Sequence, residues 1–333
     1  MAAPLPDNSF NGTLFAAYER CRALEAAASV IHSSRLTPLL GGRTLGYMLI
    51  HAPIEEGCTN VQKEIESCAT DAKLMDLAQL YVDQFIRIFK SPKGRTPDTS
   101  SHSSRTSSDI DQQETQVLLE EMPRKHRTAK ELALRRDDHR CLVTGKLDRN
   151  EHKRRKAKDP SFQAPWTYTQ TWHILPDCLN QDLELSPKAG YSALRCFGRV
   201  NVIADNLNGP VIHRIDNIMT LDISVNTAFD ELDLWLEPEG DIPNRYRICS
   251  LDRPSIDIPT PPIVTFTSTD PKLPVPNACF LKLHAAWAKI AGLSGASQYV
   301  ERTLHDMEEM KVLAGDGTSA DVLGFALARI QVH

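Results

Sequence analysis

Thr171-Trp172-His173-Ile174-Leu175-Pro176 is the stretch from which the rest of this chain is read. Asn217 follows His173 by 44 positions, inside the run His213-Arg214-Ile215-Asp216-Asn217-Ile218-Met219-Thr220-Leu221. Asn226 comes 9 positions later, opening Asn226-Thr227-Ala228-Phe229-Asp230. Upstream, Trp166-Thr167-Tyr168-Thr169-Gln170-Thr171-Trp172 has the β-branched and aromatic composition of a strand that ends at His173. Its alternation places Trp166, Tyr168, Gln170 and Trp172 on one face, and His173 with Thr167, Thr169 and Thr171 on the other. Downstream, 223–235 reads as a helix whose apolar contacts come from Phe229, Leu232, Leu234 and Trp235.

With 333 residues, 41% of them hydrophobic and 24% charged, the chain can bury a core and is expected to form one large or two modest domains. No run of 18 apolar residues suggests a membrane span, and the opening Met1-Ala2-Ala3-Pro4-Leu5-Pro6 lacks the basic start and apolar centre of a signal peptide. These features point to an intracellular protein, nuclear or cytoplasmic, with no membrane partner. Eight cysteines are scattered without a Cys-x-x-Cys pair, which favours reduced thiols over disulfides or a zinc finger.

Helical spacing dominates residues 1–90. Residues 91–113 then turn to Ser, Thr, Pro, Gly and Asp, a composition that buries too little surface to offset its ordering entropy and reads as a disordered linker. Residues 114–260 hold the strand patterns, opening with a helix over 114–138, a short strand over Arg140–Gly145 turning at Thr144-Gly145, and a charged loop to Pro165. A further strand is expected at Arg245-Tyr246-Arg247-Ile248. Seven prolines between Pro254 and Pro276 predict an irregular crossing. Three helices, over 278–291, 296–312 and 318–330, close the chain as a C-terminal region, 261–333, packed on the middle domain. The expected fold class is α+β, a small β-hairpin and helix flanked by helical segments.

Charge is uneven. Between Glu121 and Lys158 stand 14 Lys and Arg against 6 Asp and Glu, a local net of +8 on a chain whose formal net charge is −5. The densest part, Lys153-Arg154-Arg155-Lys156, suits the phosphate backbone of a nucleic acid; a solvated surface or a nuclear-localisation signal are the other readings of such a run.

The His…Asn…Asn skeleton resembles the HNH endonucleases. More narrowly, the chain is similar to HNH-nuclease-domain proteins of filamentous fungi, through Arg140-Cys141-Leu142-Val143-Thr144-Gly145, the run from His213 to Leu221, Phe229-Asp230 with Leu234-Trp235-Leu236-Glu237, and the phrase from Leu283 to Ala296. The resemblance implies a ββα-metal core that hydrolyses phosphodiester bonds, DNA ahead of RNA. In that scheme His173 is the general base, a task suited to imidazole. Asn217 braces the hairpin and orients the base. Asn226 is a metal ligand, with Asp222 and Asp230 as further carboxylates, and a hard amide oxygen favours Mg²⁺ or Mn²⁺. Trp172 stands where many members carry a ligating Asp or His, which keeps a second reading open: an HNH fold retired from catalysis that serves as a binding or scaffolding module.

Overall fold

The computed structural model describes residues 2–7, 10–27, 36–83, 126–176, 197, 212–251 and 260–309. The expected linker over 91–113 and the expected helix over 318–330 lie outside them. The chain divides into two compact units. One gathers Met1–Ser91, Cys178–Asp205 and Ala285–His333; the other gathers Pro92–Asp177 and Asn206–His284. The division near the C-terminus therefore falls at 284/285, inside a helix, where the sequence suggested 260/261.

The first unit is helical, as its periodicity predicts: α1 (Gly12–Ala26), α2 (Pro38–His51), α3 (Glu55–Ser67) and α4 (Asp71–Tyr81). Thr37 caps α2 by accepting from Leu40 N, with Pro38 at the first helical position where no donor is needed. α1 and α2 approach closely because Gly42 has no side chain: a Cβ there would lie 2.5 Å from the carbonyl oxygen of Cys21. Trp287 is buried in this unit, its ring centroid 4.7 Å from that of Phe197 and 6.5 Å from that of Tyr81.

The second unit opens with α5 (His126–Arg136) and is tied together by the last residue of that helix. Arg136 is fully buried and uses its whole guanidinium fork. Nε and Nη2 grip the Asp137 carboxylate at 2.6 and 2.9 Å, while Nη1 and Nη2 donate to the carbonyls of Ile215 and Ile218 at 2.8 Å each, and Nη1 also reaches Pro274 O at 3.3 Å. One side chain thus joins α5 to three carbonyls on two distant backbone segments. Ala129, Leu132 and Ala133 of α5 pack with Ile215, Ile218 and Leu273 around it.

After α5 the chain turns sharply through Asp138 and His139, both at positive φ. The segment from Arg140 to Gly145, expected as a strand, is instead a tight turn. Only Arg140 bridges, to Leu147, and Gly145 N donates back to Cys141 O at 2.8 Å, a closure that consumes the bonds a strand would extend. β1 (Leu147–Asp148) follows, then α6 (Arg149–Lys158) where a charged loop was expected. The helix forms because Asp148 caps it, accepting from Asn150 N and Glu151 N, and because Glu151 pairs with Arg154 and Arg155 three and four residues on.

The strand expected over 166–172 is broken at Tyr168. β2 (Trp166–Thr167) runs parallel to β1, whereas β3 (Thr169–His173) pairs antiparallel with β4 (Ile218–Asp222). The expected alternation holds, with Trp166, Tyr168 and Gln170 exposed and Thr171 buried. α7 (Ile223–Asp230) is shorter than the helix read from sequence. Leu232 takes positive φ, Leu232 N and Asp233 N fold back on Phe229 O and Ala228 O, and Trp235 enters β5 (Trp235–Pro238) instead. With β6 (Arg245–Cys249) and β7 (Ile263–Thr265), β5 forms an antiparallel sheet of order β5-β6-β7. β7 lies inside the proline-rich crossing.

α8 (Ala278–Ser294) and α9 (Ala296–Glu309) fall where helices were expected. His284, at the boundary of the second unit, is buried; its Nε2 lies 2.9 Å from Phe229 O and its ring stacks on Phe229 at 3.6 Å, which fixes the end of α7. The architecture is mixed helix and small sheets, α+β in class. Among the described residues no helix is long and apolar enough to cross a membrane.

Candidate functional site

β3, β4 and α7 form a strand-strand-helix unit, with α7 packed against both strands. Register places His173 opposite Ile218 at one end of the pair and Thr169 opposite Asp222 at the other. At a rise of about 3.4 Å per residue, those ends are about 13 Å apart.

His173 is half-buried at the end of β3. Its Nε2 lies 3.0 Å from Nδ1 of His213, also half-buried, with ring centroids 5.1 Å apart at 45°. A contact this short requires one nitrogen to carry a proton and the other a lone pair. From the sequence, His213 reads as a structural residue or a phosphate contact rather than as a base. The two histidines are 40 positions apart, and no periodicity links residues across such a gap.

Asn217 is fully buried between these two segments. Its Oδ1 accepts from Leu175 N at 3.0 Å, and its Nδ2 donates to Leu175 O at 3.2 Å and Ile212 O at 3.0 Å. Its backbone carbonyl accepts from Ile174 N at 2.8 Å. Leu175 is two residues beyond His173, and Ile212 immediately precedes His213. The amide therefore holds the backbone on which both rings are carried, using donor and acceptor together, which neither a carboxylate nor an aliphatic side chain reproduces.

Asn226 lies in α7, more than nine-tenths buried, and its Oδ1 has no hydrogen-bond partner. A buried carbonyl oxygen without a donor costs about 1–3 kcal/mol and is a ready ligand for a hard cation. Asp222 is differently occupied. One oxygen caps α7 by accepting from Ser224 N at 2.9 Å, and the other accepts from the Thr167 hydroxyl. It also sits at the far end of the strand pair from His173. Asp230 is the half-buried last residue of α7, about 12 Å along the helix from Asp222 at 1.5 Å per residue. Trp172 faces Met219 across the pair, and the two-residue period sends it to the side opposite His173. On the His173 side, Thr171 and Thr220 oppose one another, and both bury hydroxyl oxygens that lack partners.

Among the described residues no three His, Cys, Asp or Glu side chains gather as they would around a metal ion. Of the expected ligands, Asn226 offers a single unpartnered, buried hard oxygen for a divalent cation. Asp222 is engaged elsewhere, so water and substrate phosphate oxygens would complete the shell, as Mg²⁺ commonly accepts.

The basic run on α6 separates by face. Lys153 and Lys156 are exposed. Arg154 and Arg155 turn inward to Glu151, with Nε–O distances of 2.7 Å each, and Arg155 Nη2 also reaches Asp138 at 2.6 Å. Burial alone would raise the Glu151 pKa. The hydrogen bonds from Arg154 and Arg155, with the nearby positive charge, outweigh it and bring the carboxyl down to about 2. Of the four residues, two face solvent and two brace the helix. Compared with known protein families, with curated proteins and with solved structures, the chain matches none.

Proposed function

We propose that β3, β4 and α7 form the catalytic core of a metal-dependent HNH-type endonuclease that hydrolyses nucleic-acid phosphodiester bonds, DNA ahead of RNA. The observation that carries this reading is the Asn217 clamp, which holds His173 and His213 at 3.0 Å at the end of a strand pair covered by the helix bearing Asn226. In the tautomer where His173 Nε2–H donates to His213 Nδ1, His173 is a neutral imidazole with the basicity to take a proton from water. The imidazolium so formed keeps its hydrogen bond to neutral His213, which lowers the cost of the charge. His213 is then the group that orients the base, and Asn217 sets the geometry of both. The Asn226 oxygen would hold a Mg²⁺ or Mn²⁺ ion, which would neutralise charge developing at the phosphate and leaving oxygen. Nicking of supercoiled plasmid by the wild-type chain with Mg²⁺ or Mn²⁺, its suppression by EDTA, and its loss in His173→Ala test the proposal.

A second reading is favoured by the engagement of both Asp222 oxygens in capping and in the Thr167 contact. With that carboxylate committed, the unit is a retired HNH core that binds nucleic acid without cutting it. Retarded migration of plasmid without nicking, under every divalent ion tried, is its signature.

A further inference from the structure

On the second unit, away from the histidines, lies a face that the hydrolysis scheme does not use. Trp166 is 46% exposed and Tyr168 51% exposed. Their rings meet edge to face at 6.2 Å. The Arg149 guanidinium carbon lies 5.3 Å from the Trp166 centroid and 4.8 Å from that of Tyr168, a cation-π contact with each ring. His152 approaches Trp166 at 6.2 Å and Phe162 at 5.7 Å. His152, Lys156, Phe162, Gln163 and Trp166 line an open cleft of about 470 Å³.

Charge selects the occupant. The outward residues Lys153, Lys156 and Lys158 are exposed. The one acid within α6, Glu151, is buried and paired with Arg154 and Arg155. Asp159, just past the helix, accepts from Ser161 N at 2.9 Å and Ser161 Oγ at 2.6 Å. Open aromatic rings beside a row of lysines suit flat π-systems joined by phosphates. In a duplex both faces of each base are already stacked, so these rings are available only to unpaired bases.

We propose that this face binds single-stranded nucleic acid, with an unpaired base stacked on Trp166 or Tyr168 and the adjoining phosphates against Arg149, Lys153 and Lys156. The inference deepens the nuclease reading by naming the substrate class, and rests on it only for its link to cleavage. Tyr168, just ahead of β3, precedes His173 by five residues, at most about 17 Å of extended backbone. An odd separation puts the two side chains on opposite faces of the strand. The platform therefore anchors substrate and does not touch the reacting bond.

The test uses the full chain in EDTA, so that binding is read without cleavage, by fluorescence anisotropy of a labelled oligothymidylate and of its duplex with oligoadenylate. The single strand should bind more tightly than the duplex. Trp166→Ala and Tyr168→Ala should each weaken single-strand binding by about 5- to 100-fold, the usual worth of one stacked base. Trp166→Phe should restore most of it. Lys156→Gln should lower the slope of log affinity against log salt by about 0.7. Cleavage is read separately on a single-stranded DNA circle with Mg²⁺ or Mn²⁺: no cutting there sinks the nuclease reading, while tight oligothymidylate binding in EDTA leaves this one standing. The proposal is overturned by equal affinity for duplex and single strand, by wild-type binding in folded Trp166→Ala and Tyr168→Ala, or by a proline-rich or acidic peptide binding this face where oligonucleotides do not.

Discussion

His173 Nε2 and His213 Nδ1 lie 3.0 Å apart, which joins the end of β3 to a turn 40 residues further along the chain. If His173 is the base and His213 its orienting partner, the two alanine variants should differ. His173→Ala should lower the nicking rate by about 10²- to 10⁴-fold, the usual worth of general-base catalysis, with no recovery at high metal. His213→Ala should lose less and should be partly rescued by Asn or Gln, which retain a donor and an acceptor. Single-turnover rates at saturating protein are the measurement. Equal losses in the two variants would remove the distinction between the roles.

Asn217 should be intolerant of its nearest isostere. Asn217→Asp keeps the acceptor for Leu175 N but sets a carboxylate against the carbonyls of Leu175 and Ile212, in a fully buried position. A loss of at least about 2 kcal/mol in urea unfolding is expected, since buried groups left without partners cost about 1–3 kcal/mol each. Activity per folded molecule should fall as well, because both histidines ride on the clamped backbone. A variant with wild-type stability and wild-type activity would show that the clamp does not set the site.

Asn226 is the proposed cation ligand, and its unpartnered Oδ1 gives a direct test. Asn226→Asp should retain or strengthen Mg²⁺ or Mn²⁺ binding by adding charge, measured by titration calorimetry. Asn226→Ala should lose activity that excess Mg²⁺ partly restores. A pair of variants indistinguishable from wild type in both metal affinity and nicking would remove Asn226 from the site.

The buried pair Arg136–Asp137 should be the most sensitive structural point of the second unit. Arg136→Met leaves the Asp137 carboxylate buried without its partner, and a loss of about 3–5 kcal/mol is expected. Arg136→Lys should also destabilise, because an ammonium group lacks the fork that meets Asp137, Ile215 and Ile218 together. Replacing both residues, as Arg136→Met with Asp137→Leu, should recover part of the loss. Chemical unfolding of the wild type and the three variants separates these outcomes.

Acid should act through Glu151. Its carboxyl is held down at about 2 from an ordinary 4.5. The linked stability is therefore fully present above pH 4.5 and drains away as pH falls through that window toward 2. Glu151→Gln should be less stable at neutral pH and should flatten this part of the acid limb in thermal melts between pH 2 and pH 5. On the same helix, Lys153→Gln with Lys156→Gln should weaken nucleic-acid binding and reduce its salt dependence with little change in melting. Arg154→Gln with Arg155→Gln should instead lower the melting temperature, because those two side chains hold Glu151.

Periodicity along the chain was enough to mark the first unit as helical without placing its four separate helices, and to place the strand that ends at His173 and the helices that begin at 278 and 296, because each is decided by apolar spacing within a few turns of itself. The alternation that exposes Trp166 and Tyr168 was legible for the same reason. The resemblance to HNH endonucleases, rather than any periodicity, picked out His173, Asn217 and Asn226 as a series. Local spacing did not reveal that α6 is a helix, since that depends on Asp148 as a cap and on Glu151 drawing two arginines inward, where sequence counts only a run of positive charge. Nor did it separate Lys153 and Lys156 from Arg154 and Arg155, which differ only in the face they occupy. The early end of α7 rests on the turn at Leu232 and on Trp235 pairing with Cys249 of β6 across a hairpin, which the helical spacing of 223–235 does not reveal. The contacts that define the candidate site are of this second kind. His173 meets His213, and Asn217 meets Leu175 and Ile212, only after β3 and β4 have paired, and Arg136 secures that pair through carbonyls about 80 residues away. Such hydrogen bonds depend on distance and angle between segments brought together by burial, and sequence order carries neither quantity.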